Sequence, residues 1–294
     1  MTLRYDTVTF CSDYGRTDEF VGIVHSVIRS IAPGVAIIDL THDIARQDVR
    51  AGGLLLGRSA QYLNPGVVLA VVDPGVGGTR RPVAVEVGGG QSVLVGPDNG
   101  LLAPAVAMCG GASTAVVLDN PDYQMPAPGA TFAGRDVFAP AAGYLCAGVP
   151  LRQLGTEIDP AVLMPAMVPI PRREDDALVC EVLWVDTYGN AQLNLDPSEL
   201  PDGEVLIVAT AERSRRARRV DAYVELGPGE LGLVTDSYGL VSLAMDQRSA
   251  AAELGVGEAA EVTVRVDDGD GDDGAGGPGG GAVSPVQLGP TRRP

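Results

Sequence analysis

Three aspartates follow apolar runs that are typical of buried strands. Asp13 ends the run "FCSD", Asp39 lies in "IIDLTHD", and Asp73 ends "AVVD". In an open parallel sheet, ligands bind beyond the carboxyl ends of the strands, so we expect these three carboxylates to converge on one edge. A single aspartate at a strand end more often caps a turn, but three such ends indicate a functional site.

The residues after Asp73 could hold a water molecule. In "VVDPGVGGTRR", Pro74 fixes a turn, Gly77 lets the backbone approach a ligand, and Arg80 follows closely enough to fold back towards Asp73. A carboxylate and a guanidinium at one pocket can orient a water and balance the charge that develops on it. The alternative is an ion pair that only stabilises the turn.

A second segment of interest is "TFAGRDVFAP", residues 131–140. Gly134, Arg135 and Asp136 predict a tight turn at the entrance of a helix, where backbone N–H groups favour negative charge nearby. Ala133, just before this turn, has no polar side chain. "GPDNGLL", residues 96–102, also places Asp98 at a helix entrance, but an ordinary N-cap explains that position.

Metal and cofactor chemistry is not predicted. The chain has only two histidines, so a histidine-rich metal site is not expected. His25 lies within an apolar helical pattern and is interpreted as structural, whereas His42 follows a strand and could line the site. The sequence has neither a Walker pattern nor a Gly-x-Gly-x-x-Gly dinucleotide fingerprint. We therefore expect no metal and no cofactor.

The first half of the chain alternates strand and helix patterns. Strands are predicted at "TVTFCSD", "VAIIDL" and "GVVLAVVD", and a hairpin at "PVAVEV" and "SVLVGPD" around the glycines at 88–90. Helices are predicted from an N-cap at Thr17 to Ile31, at 49–63, near 100–109 and at 135–147. This pattern predicts an α/β domain over residues 1–165 with a mostly parallel sheet.

The second half is predicted to be all β. After a linker at 166–176, period-two alternation over 177–266 indicates a small barrel. Its predicted strands are "ALVCEVLWVD", "AQLNL", "EVLIVAT", "DAYVEL", "ELGLVTD", "LVSLAMD" and "EAAEVTVRVD". Two Asp-x-Tyr-Gly segments, 186–189 and 236–239, read as hairpin turns, beside which Asn190 could contact a purine edge and Ser237 a carboxylate. The tail at 267–294 is predicted to be disordered.

Charge and cysteine content limit the classes of partner. The 294 residues carry a net charge of −17, which disfavours binding to nucleic acid or an anionic membrane surface. No apolar run approaches the roughly 18 residues that span a bilayer. The four cysteines are widely spaced, as expected of free thiols in a reducing compartment. These features predict a soluble cytoplasmic protein.

Seven segments, taken in order, resemble the S-adenosyl-L-methionine (SAM) hydroxide adenosyltransferases, relatives of the fluorinase and chlorinase. They are "SDYG..D", "IIDLTHDI", "VVDPGVGGTRRPVAV", "GPDNGLL", "TFAGRDVFAP", "DTYGN" and "DSYGLVSLA", spread over about residues 6–265. The resemblance implies a homotrimer whose active sites lie between the first domain of one subunit and the second domain of its neighbour. It also implies that water attacks the 5′-carbon of SAM and that adenosine and methionine are released.

The resemblance further implies roles for individual residues. Asp13 would hold the ribose hydroxyls, and Asp18 and Phe20 would lie near the amino-acid end. Asp186 and Ser237 would contact the methionine, and Asn190 and the backbone around Met245 would contact the adenine. Gly134 is a further implied contact. Ser242 stands where an acidic residue is implied on the adenine or ribose side.

Asp73 and Arg80 match two members of an Asp-Arg-His set that is implied for the hydroxide users, and Ala133 stands where the histidine is implied. Physical chemistry agrees with this assignment, because Asp73 would repel a halide, whereas a water between Asp73 and Arg80 could be aligned for in-line attack. The hypothesis is therefore a slow SAM hydrolase. A SAM- or adenosine-binding protein without turnover and a halogenase remain alternatives.

Overall fold

The apolar runs of the first half pair into a seven-stranded sheet in a computed structural model that describes residues 3–267. The strands are β1 (Thr7–Ser12), β2 (Ala36–Thr41), β3 (Val67–Val71), β4 (Pro82–Val87), β5 (Ser92–Pro97), β6 (Ala112–Val117) and β7 (Thr156–Ile158). Their spatial order is β2-β1-β3-β5-β4-β6-β7. Strands β4 and β7 run against the other five, so the predicted mostly parallel sheet is confirmed.

Helices cover both faces of this sheet. Helices α1 (Phe20–Ile31) and α4 (Ala139–Cys146) pack on one face, and α2 (Val49–Ser59) and α3 (Ala103–Met108) pack on the other. The side chains of β3 alternate between the two resulting cores: Leu69 faces α1 and α4, whereas Val68 faces α2 and α3. Burial on both faces explains why β3 is a continuous apolar run.

Two helix entrances differ from the sequence-based expectation. Helix α1 does not begin at a Thr17 cap; it begins at Phe20, with Glu19 in the cap position and no side-chain hydrogen bond to the helix. Helix α4 is preceded by a π-helical turn, Gly134–Phe138, so the predicted helix at 135–147 contains a local widening. Such widened turns often occur at functional sites.

The second half closes into a barrel, as predicted. Its strands are β8 (Arg172–Glu174), β9 (Ala177–Val185), β10 (Ala191–Leu193), β11 (Val205–Ala209), β12 (Ser214–Val220), β13 (Leu231–Thr235), β14 (Val241–Met245) and β15 (Glu261–Val266). The ring runs β9-β10-β14-β13-β12-β11-β15 and returns to β9. A short helix, α5 (Ala250–Leu254), packs against it. Strand β8 lies within the segment predicted as a linker and pairs with β9.

One predicted strand of the barrel is wrong. "DAYVEL" forms a short helical turn, Tyr223–Glu225, and the ring strand is the preceding "SRRARRV" of β12. Its arginines hide the alternation, but Ala217 is buried in the core of the barrel, and Val220 is buried on the opposite face of the strand against Leu226 and Val234. Arg218 is neutralised by Glu230, so the charged face of β12 remains compatible with the barrel.

The two domains of one chain touch along α2 and the barrel. Arg50 forms an ion pair with Glu181, and the guanidinium of Arg58 lies 4.3 Å from the centre of the Trp184 ring. The Tyr62 hydroxyl donates a hydrogen bond of 3.2 Å to the Ser237 carbonyl. Within residues 3–267, no helix is long and apolar enough to cross a membrane. The predicted disordered tail falls outside the described residues from position 268 onward.

Candidate active site

A pocket of about 140 Å³ opens where β1 and β3 end. Five residues named from the sequence line it: Asp13, Phe20, Asp73, Ala133 and Gly134. The remaining lining residues are Tyr14, Val76, Thr131 and Phe132. The expected edge of the sheet is therefore where Asp13 and Asp73 meet, and the turn that carries Ala133 forms the opposite wall.

The Asp73 carboxylate forms a bidentate ion pair with Arg80. Arg80 Nε donates to Asp73 Oδ1 at 2.8 Å, and its Nη2 donates to Asp73 Oδ2, so both carboxylate oxygens are engaged. The Asp73 side chain is 6% exposed and that of Arg80 15%, which strengthens the pair relative to a surface contact. The Arg80 guanidinium also lies 5.5 Å from the centre of the Phe138 ring, which fixes its direction.

Asp13 is held by a second backbone segment. Its amide donates to the Val71 carbonyl at 3.3 Å, which ties the end of β1 to the end of β3. Its Oδ2 atom accepts a 2.8 Å hydrogen bond from the Gln47 amide. Gln47 adopts φ of 64°, a left-handed conformation that is uncommon for a residue other than glycine. Among the described residues, the Oδ1 atom of Asp13 accepts no such bond, so it is available to a ligand hydroxyl.

The wall opposite Asp73 is the π-helical turn. Gly134 is buried, and a Cβ atom at this position would lie 2.1 Å from the Tyr14 hydroxyl oxygen, so only glycine fits. Arg135 pairs with Asp136 in the same turn, Nε to Oδ1 at 2.5 Å. Neither member of that pair lines the pocket, whereas Ala133 and Gly134 do.

Asp39 does not line this pocket. Its Oδ1 atom instead lies 2.8 Å from His25 Nε2 and 3.0 Å from His42 Nε2. The second contact is poorly aligned for a hydrogen bond, and the His42 ring is completely buried. Burial alone would raise the pKa of Asp39, but contacts from His42 and His25 outweigh it, and the pKa is lowered.

This His25-Asp39-His42 cluster supports the site from behind. His42 Nδ1 lies 2.8 Å from Ser12 Oγ, which accepts a hydrogen bond from the Tyr14 amide at 3.3 Å. The His42 carbonyl accepts another from the Gly15 amide. The cluster therefore holds the loop after β1 in place. The spacing of residues in the sequence does not predict that His25, in the middle of α1, belongs to this cluster.

The residues named in the barrel lie elsewhere in the same chain. Asp186 Oδ1 accepts hydrogen bonds from the Tyr188 and Asn190 amides, and its Oδ2 accepts from Asn190 Nδ2 at 2.8 Å. Ser237 is exposed in the matching turn. No barrel residue lines the 140 Å³ pocket in the described part of the chain.

Ser242 is buried in β14, beside the second Asp-x-Tyr-Gly turn. Its hydroxyl donates to Asp236 Oδ2 at 2.8 Å, and Gln192 Nε2 donates to the same oxygen at 2.6 Å. Met245 ends β14 with its side chain buried. Asp18, in contrast, is exposed in the loop before α1, and Phe20 sits at the pocket mouth with its ring 5.0 Å from that of Phe132.

A larger cavity, about 580 Å³, lies at the junction of the two domains. Arg58, Trp184, Tyr238 and Glu258 are among its walls, but none of the residues named from the sequence is. It has room for a ligand but lacks the paired Asp73 and Arg80. The smaller pocket is therefore the candidate active site, because it combines an open volume with groups that can do chemistry.

Comparisons with known proteins agree with these two domains. Models of the SAM hydroxide adenosyltransferase N-terminal and C-terminal domains match residues 8–155 and 180–263. The chain is 42% identical over 258 residues to the (R)-S-adenosyl-L-methionine hydrolase of Salinispora tropica, covering 87% of this chain and 97% of that one.

A Thermus thermophilus protein of the same name is 38% identical over 263 residues, covering 87% of this chain and 98% of its own. Among solved structures, an uncharacterized conserved protein from Thermotoga maritima superposes with a TM-score of 0.81 at 29% identity, over 88% of this chain and 99% of that one. Both domains thus recur together in similar proteins.

Proposed function

The chain belongs to the SAM hydroxide adenosyltransferase family, and we propose that it is a hydrolase that cleaves S-adenosyl-L-methionine into adenosine and L-methionine. The predicted family is confirmed. The names of the two similar hydrolases specify the (R) form of the substrate, and we propose that this chain also accepts that sulfonium epimer.

The single observation that carries this proposal is Asp73 at the pocket wall, with Arg80 hydrogen-bonded to its carboxylate. A water held against the Asp73 carboxylate has an acceptor for one of its protons, and Arg80 fixes the carboxylate in place. The substrate is already a sulfonium, so the leaving group needs no acid. Catalysis therefore depends mainly on aligning the water with the 5′-carbon and sulfur.

The reaction balances without a cofactor. The water oxygen forms a bond to the 5′-carbon as the carbon–sulfur bond breaks, and the electron pair of that bond neutralises the sulfonium to give methionine. One water proton passes to Asp73 and then to solvent, and adenosine keeps the other on its new hydroxyl. Asp73 also disfavours halide chemistry, because its negative charge would repel chloride or fluoride at the same position.

We propose that a second copy of the chain completes the site, as a homotrimer. A pocket of 140 Å³ is below the roughly 300 Å³ at which small-molecule sites begin. Asp186, Asn190, Ser237 and Met245 lie outside that pocket in their own chain, yet they belong to the predicted SAM contacts. A cyclic assembly would bring these barrel turns of one subunit to the pocket of the next.

We also propose a cytoplasmic location. Its support is that all four cysteines are free, at positions 11, 109, 146 and 180.

The test is release of adenosine from each sulfonium epimer by the purified protein, followed by mass spectrometry with and without chloride. We expect turnover that Asp73→Asn lowers by about 10²–10⁴-fold, as for the loss of a proton acceptor. The matched control is Asp98→Asn, because Asp98 is equally buried, pairs with the adjacent Arg81 and does not line the pocket. No protein-dependent adenosine, or equal rates for Asp73→Asn and wild type, would contradict the proposal.

A further inference from the structure

Tyr14 directs its hydroxyl into the candidate active site. Its ring packs edge-on against the rings of Phe10 and Phe132, with centres 6.4 Å and 5.8 Å away. These contacts leave the phenol oxygen at the wall formed by Gly134, where a Cβ atom would lie only 2.1 Å from it. The hydroxyl is thus positioned beside Ala133, and Tyr14 lines the same pocket as Asp73.

This hydroxyl is available for a ligand. Within residues 3–267 no hydrogen bond to the Tyr14 hydroxyl is formed, although its amide is bonded to Ser12 Oγ. The two carboxylates of the pocket are more committed: Asp13 accepts from Gln47, and Asp73 is held by Arg80. The Ala133 side chain has no polar atom that could form a hydrogen bond with a water. The Thr131 hydroxyl also forms no hydrogen bond within residues 3–267, but the Tyr14 oxygen is the one that lies against Gly134, the neighbour of Ala133.

The hydroxyl keeps its proton at neutral pH. Burial raises the pKa of Tyr14, and the negative charges of Asp13 and Asp73 raise it further, while Arg80 opposes them. A neutral phenol can accept one hydrogen bond and donate another, so it can hold a water without exchanging a proton with it. Tyr14 is thus suited to orientation rather than to acid-base catalysis.

We propose that the Tyr14 hydroxyl holds the attacking water together with Asp73, a role that rests on the proposed hydrolysis of SAM. One O–H of the water donates to the Asp73 carboxylate and the other donates to the Tyr14 oxygen. An oxygen lone pair is then left to face the 5′-carbon of the substrate. With both hydrogens fixed, the water loses little further entropy when it attacks.

The decisive variant is Tyr14→Phe, which keeps the ring contacts and removes only the oxygen. We expect kcat for adenosine release to fall about 10²-fold, as for a misplaced reactant. We expect KM and the calorimetric affinity for adenosine to stay at their wild-type values, since no substrate contact is removed. The matched control is Tyr144→Phe, which removes a phenol from the same domain at a half-buried position outside the pocket.

Each result bears on the proposal. A wild-type kcat for Tyr14→Phe would overturn the role of the hydroxyl while leaving the hydrolase assignment intact. A loss of adenosine affinity that matches the loss of kcat would also overturn it, because Tyr14 would then act on binding or on the shape of the pocket. If the wild type itself released no adenosine, the hydrolase assignment would fall first and this role with it.

Discussion

Asp39 is placed between two imidazoles, behind the loop that carries Asp13 and Tyr14. The sequence predicted that Asp39 would converge with Asp13 and Asp73 on one edge of the sheet, since all three follow apolar strand patterns. Asp39 does not line the pocket with them, because its Oδ1 atom contacts His25 of α1 and His42 after β2 instead. The strand pattern predicts which edge of the sheet a carboxylate reaches. It does not predict which side chain of another element will form a hydrogen bond with that carboxylate.

The lowered pKa of Asp39 makes a prediction about stability. A carboxyl whose pKa is lower in the folded than in the unfolded chain stabilises the fold above its unfolded pKa of about 3.9, and this contribution is lost as the pH falls through the folded pKa. We expect Asp39→Asn to lower the free energy of unfolding at pH 7 and the gap from wild type to shrink as the pH falls below about 4.

Urea unfolding followed at several pH values measures this gap. Asp43→Asn is the control, since the Asp43 side chain is largely exposed and only 3.7 Å from an equally exposed Arg16. It should shift the denaturation midpoint little at any pH. A gap for Asp39→Asn that stays constant from pH 7 to below 4 would show that the imidazoles do not act on the ionised carboxyl.

At the scale of elements, apolar periodicity predicted the α/β sheet and most of the barrel. It failed at β12, where arginine occupies four of the seven positions and the small Ala217 is the strand's one residue in the barrel core of the described chain. The neighbouring "DAYVEL" alternated more clearly but formed a turn. β12 pairs with β11 in a hairpin and with β13 in parallel, and these neighbouring strands, which the alternation within β12 does not show, define it as a strand.

The β13–β14 hairpin yields a second test. Ser242 donates to Asp236 Oδ2 inside the turn, so it serves the hairpin from within. We expect Ser242→Ala to destabilise the protein by about 1 kcal/mol, the typical worth of one such bond. Ser242→Asp should cost more, because two carboxyls would share a buried space and one would have to remain protonated.

Thermal unfolding of the two Ser242 variants compares these costs. Ser198→Ala is a suitable control, since its hydroxyl also donates to an aspartate, Asp196, but on the exposed surface. A Ser242→Asp variant as stable as wild type would contradict this expectation. It would mean that the fold accommodates at this position the acidic residue that the family resemblance implies there.

At the scale of the whole molecule, the proposed site is divided between two chains. Trimers assembled from two different variants of the chain can test this. One variant, Asp73→Asn, damages the pocket half, and another, Asn190→Ala, damages the barrel half. In randomly mixed trimers a site needs an intact half from each of two neighbours, so about one quarter of the sites would be whole. We expect co-expressed variants to recover about a quarter of the wild-type rate.

The rate of adenosine release by each variant purified alone is the baseline. The control is a mixture of the two separately purified variants under conditions in which subunits do not exchange. If both halves of a site belonged to one chain, mixing would restore nothing above the mean of the two variants. A solution mass equal to that of one chain, measured at the assay concentration, would likewise contradict the shared site.

The contacts between the two domains have a consequence for motion. Three contacts join α2 and the turn after it, Ala60–Tyr62, to the barrel: Arg50 with Glu181, Arg58 over Trp184, and Tyr62 with Ser237. Many enzymes admit substrate by swinging one domain away from the other about a hinge. Here such a swing would break all three contacts and would not open the candidate pocket, whose walls all belong to the first domain. Substrate entry and adenosine departure would then depend on transient separation of neighbouring subunits rather than on closure within one chain.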